Sequence, residues 1–140
     1  MRKVKFSIVF LMLFILLSGC GTKDSYLTKE DALMRGYVVL DGTMTENKNR
    51  FEVFLSNVES KREDSIFVLI YDLTGSQYVI KITFDGENFV ASSYFMDKDS
   101  RKISEEPDLT YTDIIMTSSK NYFLIDSSKV NPDIWVYQEN

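Results

Sequence analysis

Three successive runs with apolar side chains at every second position, spanning residues 65–94, constrain this chain more than anything else in it. In the first run Ile66, Val68 and Ile70 point one way and Phe67, Leu69 and Tyr71 the other, so both faces are apolar. Such a strand belongs in the middle of a sheet with at least one face under a helix. Thr74-Gly75-Ser76 then turns the chain, and Tyr78, Ile80, Ile82 and Phe84 alternate with Val79, Lys81 and Thr83 as in a half-buried antiparallel strand. Asp85-Gly86-Glu87-Asn88 turns it again into a third strand over 89–94, completing a meander.

The covering helices should come first in the chain. Thr28 followed by Lys29, Glu30 and Asp31 reads as an N-cap with acids in the first turn, where they complement the helix dipole, and Gly36 offers a stop. A short helix over 29–35 and a strand over 37–40 follow, ending at Asp41-Gly42. A second helix is expected around Phe51, Phe54, Leu55 and Val58, which recur at i, i+3, i+4 and i+7, with Asn49 and Glu52 as its capping box. Its other face carries Arg50, Glu52, Asn57 and Glu59, so it should lie on an apolar surface with its back to water. Beyond the meander, 97–108 is charged, contains Pro107 and reads as an exposed loop. Strands are expected over 111–117 and 122–126, and a short last one over 134–137 with Trp135 against the sheet edge. Helices followed by strands give an α+β fold, one or two N-terminal helices packed on an antiparallel β-meander sheet, in a single domain over 28–140.

The amino terminus has a different character. Arg2, Lys3 and Lys5 precede an almost unbroken apolar run from Phe6 to Leu17, then small Ser18 and Gly19, then Cys20. These are the parts of a secretory signal: cations that stay inside, an apolar stretch that enters the bilayer, and small residues that admit a peptidase. The run falls short of the roughly 20 apolar residues a spanning helix needs. Leu17-Ser18-Gly19-Cys20 resembles the lipobox of bacterial lipoproteins. That resemblance implies cleavage of a signal over 1–19, with Leu17, Ser18 and Gly19 recognised by the peptidase, and a covalent diacylglycerol on Cys20 as the one non-protein group. Residues 20–27 would then be a tether, and the domain would sit at the cell membrane on its extracytoplasmic face.

Cleavage would leave 121 of the 140 residues and no second cysteine for a disulfide, so packing must hold the domain together. Loss of Arg2, Lys3 and Lys5 takes the formal charge from −5 to −8. That balance argues against nucleic acid, whose phosphates need a basic footprint, and against electrostatic docking on anionic lipid.

A second resemblance lies within the domain. Ala32-Leu33-Met34-Arg35-Gly36-Tyr37-Val38-Val39, the helix over 51–58, the strand over 64–71 and Ile82-Thr83-Phe84-Asp85-Gly86 are similar to small Gram-positive lipoproteins carrying the domain of unknown function number 4362. The chain differs from that pattern at Tyr37, where the family has an acid, and at Leu73-Thr74-Gly75-Ser76, where it has a Glu-Gly-Asp-Pro turn. The family implies no established activity and contributes no catalytic residues.

With no histidine in the chain, serine triads, cysteine-histidine pairs and histidine-ligated zinc are excluded. Carboxylates remain as acid and base, but the spacing of Glu46, Glu63, Asp64, Asp72, Asp85, Glu87, Asp97 and Asp99 selects no pair of the kind glycoside hydrolysis requires. Asp97-Lys98-Asp99 begins like a calcium loop yet lacks the later glycine and glutamate. The candidate ligand surface is aromatic: Tyr37, Tyr71, Tyr78 and Tyr94, large side chains with a hydrogen-bonding tip. No catalytic residue, metal ligand or cofactor is expected. The leading reading is a lipid-anchored, non-catalytic binding module for an envelope protein or small ligand. The alternatives are a carboxylate-dependent cell-wall hydrolase and a pheromone cut from the signal around 12–19.

Overall fold

The computed structural model describes residues 26–139. Helix α1 (Lys29–Met34) starts where Thr28 Oγ1 accepts the Asp31 N–H at 3.1 Å. It ends at Gly36, whose φ of +79° lets its own N–H reach Leu33 O and that of Tyr37 reach Ala32 O. Strand β1 (Val38–Asp41) pairs antiparallel with β2 (Met44–Glu46), a strand too short to show a period in sequence. Helix α2 (Lys48–Glu59) follows at once. Its cap is not the expected Asn49, which lies within the first turn, but Asn47. One residue must reverse the chain between β2 and α2; Asn47 does so in the left-handed conformation at φ 57°, and its side chain donates to Tyr37 O instead of capping the helix.

Strands β3 (Asp64–Tyr71), β4 (Gln77–Phe84) and β5 (Phe89–Met96) are the meander. The sheet is wider than that, with order β2-β1-β3-β4-β5-β6, where β6 (Ile103–Glu105) arises inside the stretch read as loop. A further strand, β7 (Leu109–Tyr111), also pairs with β5. The β1–β3 pair is parallel because α2 carries the chain across between them, so the sheet is mixed, not purely antiparallel.

The strand expected over 111–117 breaks at Thr112. Tyr111 stays on β7 with its side chain fully buried, while β8 (Asp113–Met116), β9 (Asn121–Ile125) and β10 (Ile134–Gln138) form a separate antiparallel sheet, order β10-β9-β8. Trp135 belongs to β10 of this smaller sheet, where its Nε1–H donates to Asn121 Oδ1 at 3.2 Å.

The two sides of the large sheet are covered unequally. On one, Val38, Leu40, Ile66, Val68, Ile80, Ile82 and Phe84 are buried beneath α2 and the smaller sheet, which contributes Leu124, Val136 and Tyr137. Phe51 joins helix to sheet, stacked on Tyr137 with centroids 3.9 Å apart and met edge-on by Tyr122 at 5.2 Å. The polar back of α2 is not wholly given to water. Arg50 Nη1 and Nη2 donate to the two oxygens of Asp64, and Asn57 Nδ2 donates to the same carboxylate at 2.9 Å.

The other side carries the smaller cluster of Leu27, Ala32, Val39, Leu69 and Val79. There α1 and the residues leading into it cover β1 and part of β3; on β4 and β5 Gln77, Val79 and Met96 are buried, Ser92 and Tyr94 are half-buried and Lys81 is exposed.

Candidate functional site

Residue parity decides what lines the less covered side. Register places Leu69 beside Val79 and Val79 beside Tyr94, then Phe67 beside Lys81 and Lys81 beside Ser92. Out of these rows comes an open groove of about 250 Å³, floored by Phe67, Val79 and Tyr94 and edged by Glu105, Glu106 and Asp108. Lys81 Nζ lies 5.9 Å from the centre of the Phe67 ring, within cation–π range. An apolar, partly aromatic floor between Lys81 and the acids Glu105 and Asp108 can hold a flat or aliphatic group while pairing charges of either sign at its rim; the Glu106 carboxylate already accepts from the Tyr78 and Ser93 hydroxyls.

The four anticipated tyrosines do not form one surface. Tyr37 stacks on Phe67, centroids 4.7 Å apart and planes at 11°, and so extends the groove's aromatic floor. Tyr94 lines the groove itself. Tyr71 is on the same side, but its hydroxyl donates to Leu27 O at 3.0 Å and holds the entering chain. Tyr78 points to the opposite side, paired in register with Ile70 and Phe95, because the even-numbered residues of β4 face α2. Its hydroxyl bonds to Ser93 Oγ and Glu106 Oε2, and burial pushes its pKa up. It leaves the candidate surface.

Sequence reasoning passed over Phe67, Lys81 and the rim acids, and also Gln77. Only 1% exposed, Gln77 accepts the Leu27 N–H through Oε1 at 3.0 Å and donates from Nε2 to Leu27 O. A side-chain amide thus pairs with both backbone groups of Leu27 as a neighbouring strand would. The available signal was an amide just before the alternation of β4, on the side where Val79 follows.

Of the eight carboxylates named from sequence, Glu46, Asp64, Asp72, Asp85 and Asp97 are engaged in structural contacts. Asp72 is held low by the Thr74 hydroxyl and the N–H groups of its own turn. The N–H groups of Asn88 and Glu87 do the same for Asp85, and Ser100 for Asp97. Burial pushes Asp64 up, but hydrogen bonds from Arg50, Asn57 and its neighbour's N–H outweigh it, and its pKa is lowered. Glu46 pairs with Lys29. A general acid at neutral pH needs a shift in the other direction. Among the described residues no group of three or more acids, cysteines or histidines is placed to hold a metal ion, and no helix is long and apolar enough to cross a membrane.

No family model, curated protein or solved structure matches the chain. Leu17, Ser18, Gly19 and Cys20, with the remainder of the signal and most of the tether, lie outside the described residues.

Proposed function

We propose that the protein is a lipoprotein held by Cys20 on the extracytoplasmic face of the cell membrane, where its domain acts as a non-catalytic binding module. The observation that carries the binding role is the open groove lined by half-buried Phe67 and Tyr94 over buried Val79, extended by Tyr37 and rimmed by acids. A soluble domain ordinarily covers such a sheet face or uses it. Supporting the anchor is the sequence Leu17-Ser18-Gly19-Cys20 after a basic and then apolar leader. Two acyl chains make membrane attachment stable where one is marginal.

Two measurements test this reading. Metabolic labelling with a fatty acid should mark the wild type and leave Cys20→Ser unmarked and out of the membrane fraction; an unmarked wild type ends the anchor. A photo-crosslinking residue at Ser92, in the groove, should capture a component of intact cells that the same residue at Glu52, on the outer face of α2, does not. Equal products from the two positions, or none from either, would count against the groove.

A further inference from the structure

One rung closes the large sheet at the end where the chain enters: Met44, Asp41, Tyr71, Gln77, Met96 and Ile103 lie side by side in register. Three turns, 42–43, 72–76 and 97–102, project beyond it. Tyr26, the first described residue, is fastened among them. Its hydroxyl donates to Gly75 O at 2.9 Å, and the Arg101 guanidinium sits 4.2 Å from its ring centre. The middle and last turns are joined as well, since the Lys98 N–H donates to Ser76 Oγ and the Lys98 side chain runs past Gly75. Chain leading back to Cys20 therefore departs from this end, and its six residues extend at most about 20 Å.

The turns present an unusual surface to whatever lies there. Leu73, in the middle turn, is 104% exposed, and Met44, the first residue of β2 on the closing rung, is 61% exposed. Charge is distributed unevenly over the molecule. The 26–139 region holds 12 cations and 20 acids, a balance of −8, while this end sets Lys29, Lys98, Arg101 and Lys102 against Asp41, Glu46, Asp72, Asp97 and Asp99, a balance of −1. Asp72 and Asp97 turn inward to their own loops' N–H groups and Asp41 lies against Lys29, whereas Lys98 and Arg101 are exposed. Most of the net charge that opposes docking on anionic lipid is thus located away from the tether.

We propose that this end rests on the bilayer surface, with Leu73 in the interfacial layer and Lys98 and Arg101 against lipid phosphates, so that the domain stands on its β3–β4 turn. The proposal rests on acylation of Cys20. It fixes the domain's orientation: a tether of this length brings the turns within reach of headgroups, an exposed leucine beside cations suits the interface, and the acidic remainder is repelled from an anionic surface.

The test uses the full lipidated protein in vesicles of phosphatidylglycerol and phosphatidylcholine. A nitroxide is placed on the introduced thiol of Leu73→Cys or, at the other end of the sheet, Glu87→Cys. At position 73 collisions with bilayer-dissolved oxygen should dominate and a water-soluble nickel complex should be shielded; at 87 the order should reverse. Replacing Lys98→Gln and Arg101→Gln together should return the label at 73 to water, as should vesicles of phosphatidylcholine alone. Equal aqueous exposure at 73 and 87 on protein that floats with the vesicles would overturn this orientation and leave the anchor standing. Protein that neither carries the fatty-acid label nor floats would overturn both.

Discussion

Single side chains make the connections that hold this domain's loops and entering segment. Gln77 pairs with both backbone groups of Leu27, whose carbonyl also accepts from the Tyr71 hydroxyl, and the Gln77 bonds are buried. Gln77→Leu keeps the volume but leaves the buried Leu27 N–H unpaired, while Leu27 O keeps the Tyr71 hydroxyl, and should cost about 1–3 kcal/mol. In hydrogen exchange the Leu27 amide should lose protection while the β3 amides keep theirs. Five aspartates, Asp64, Asp72, Asp85, Asp97 and Asp126, have pKa values lowered from 3.8. Their contribution to stability is present above that value and lost as the pH falls through the folded-state values. Acid unfolding should therefore set in below about pH 4. At the alkaline end, burial pushes Tyr111 and Tyr137 up from 10.0 to about 12. The unfolded chain ionises first, so stability should hold below pH 10 and decline between there and 12. Denaturant midpoints measured across pH check both limits.

Elements differ in how far sequence revealed them. The long strands were legible because eight residues give an alternation that a register slip would destroy, and α2 because four apolar residues at helical spacing admit one face. Three residues give no period, which is why β2 and β6 went unseen. The break at Thr112 is equally silent locally: Tyr111 must reach the large sheet while the Thr112 N–H bonds Ile125 O, and that division exists only once both sheets are in place. The weight α2 carries is testable. Phe51 is 1% exposed and packs on Phe54, Tyr122 and Tyr137, so Phe51→Ala should cost about 3–5 kcal/mol in equilibrium unfolding. Val53 on the outer face is 46% exposed, and Val53→Ala should stay within about 0.5 kcal/mol of wild type.

At the scale of the whole molecule, the two sheets share one core. Leu124, Val136 and Tyr137 of the smaller sheet are buried with Ile66 and Ile80 of the larger, and Thr45 Oγ1 on β2 donates to Gln138 O on β10 at 3.0 Å. Tyr111 reaches across too, its hydroxyl donating to Pro132 O. They should unfold together. The chain's one tryptophan, Trp135, reports on the smaller sheet, so its fluorescence transition should coincide with that of far-UV circular dichroism, dominated by the rest. Separate midpoints would mean two units. The candidate site belongs to this scale as well. Tyr37, Tyr71 and Tyr94 were legible as aromatics on strands or beside them, but the groove needs Phe67 from β3, Val79 from β4, Tyr94 from β5 and the acids at and just after the end of β6. Sequence by itself determined the α+β class, the strand alternation and the apolar stripe of α2, because those are periodicities of neighbouring residues and the pleat and the helix turn enforce them locally. Tertiary structure alone decided which side of the sheet carries the groove, that Tyr78 faces away from it, and that most of the domain's negative charge lies away from the end where Tyr26 is fastened. Each of these depends on which distant segments pair, and a side chain's neighbours across a sheet leave no mark on its neighbours along the chain.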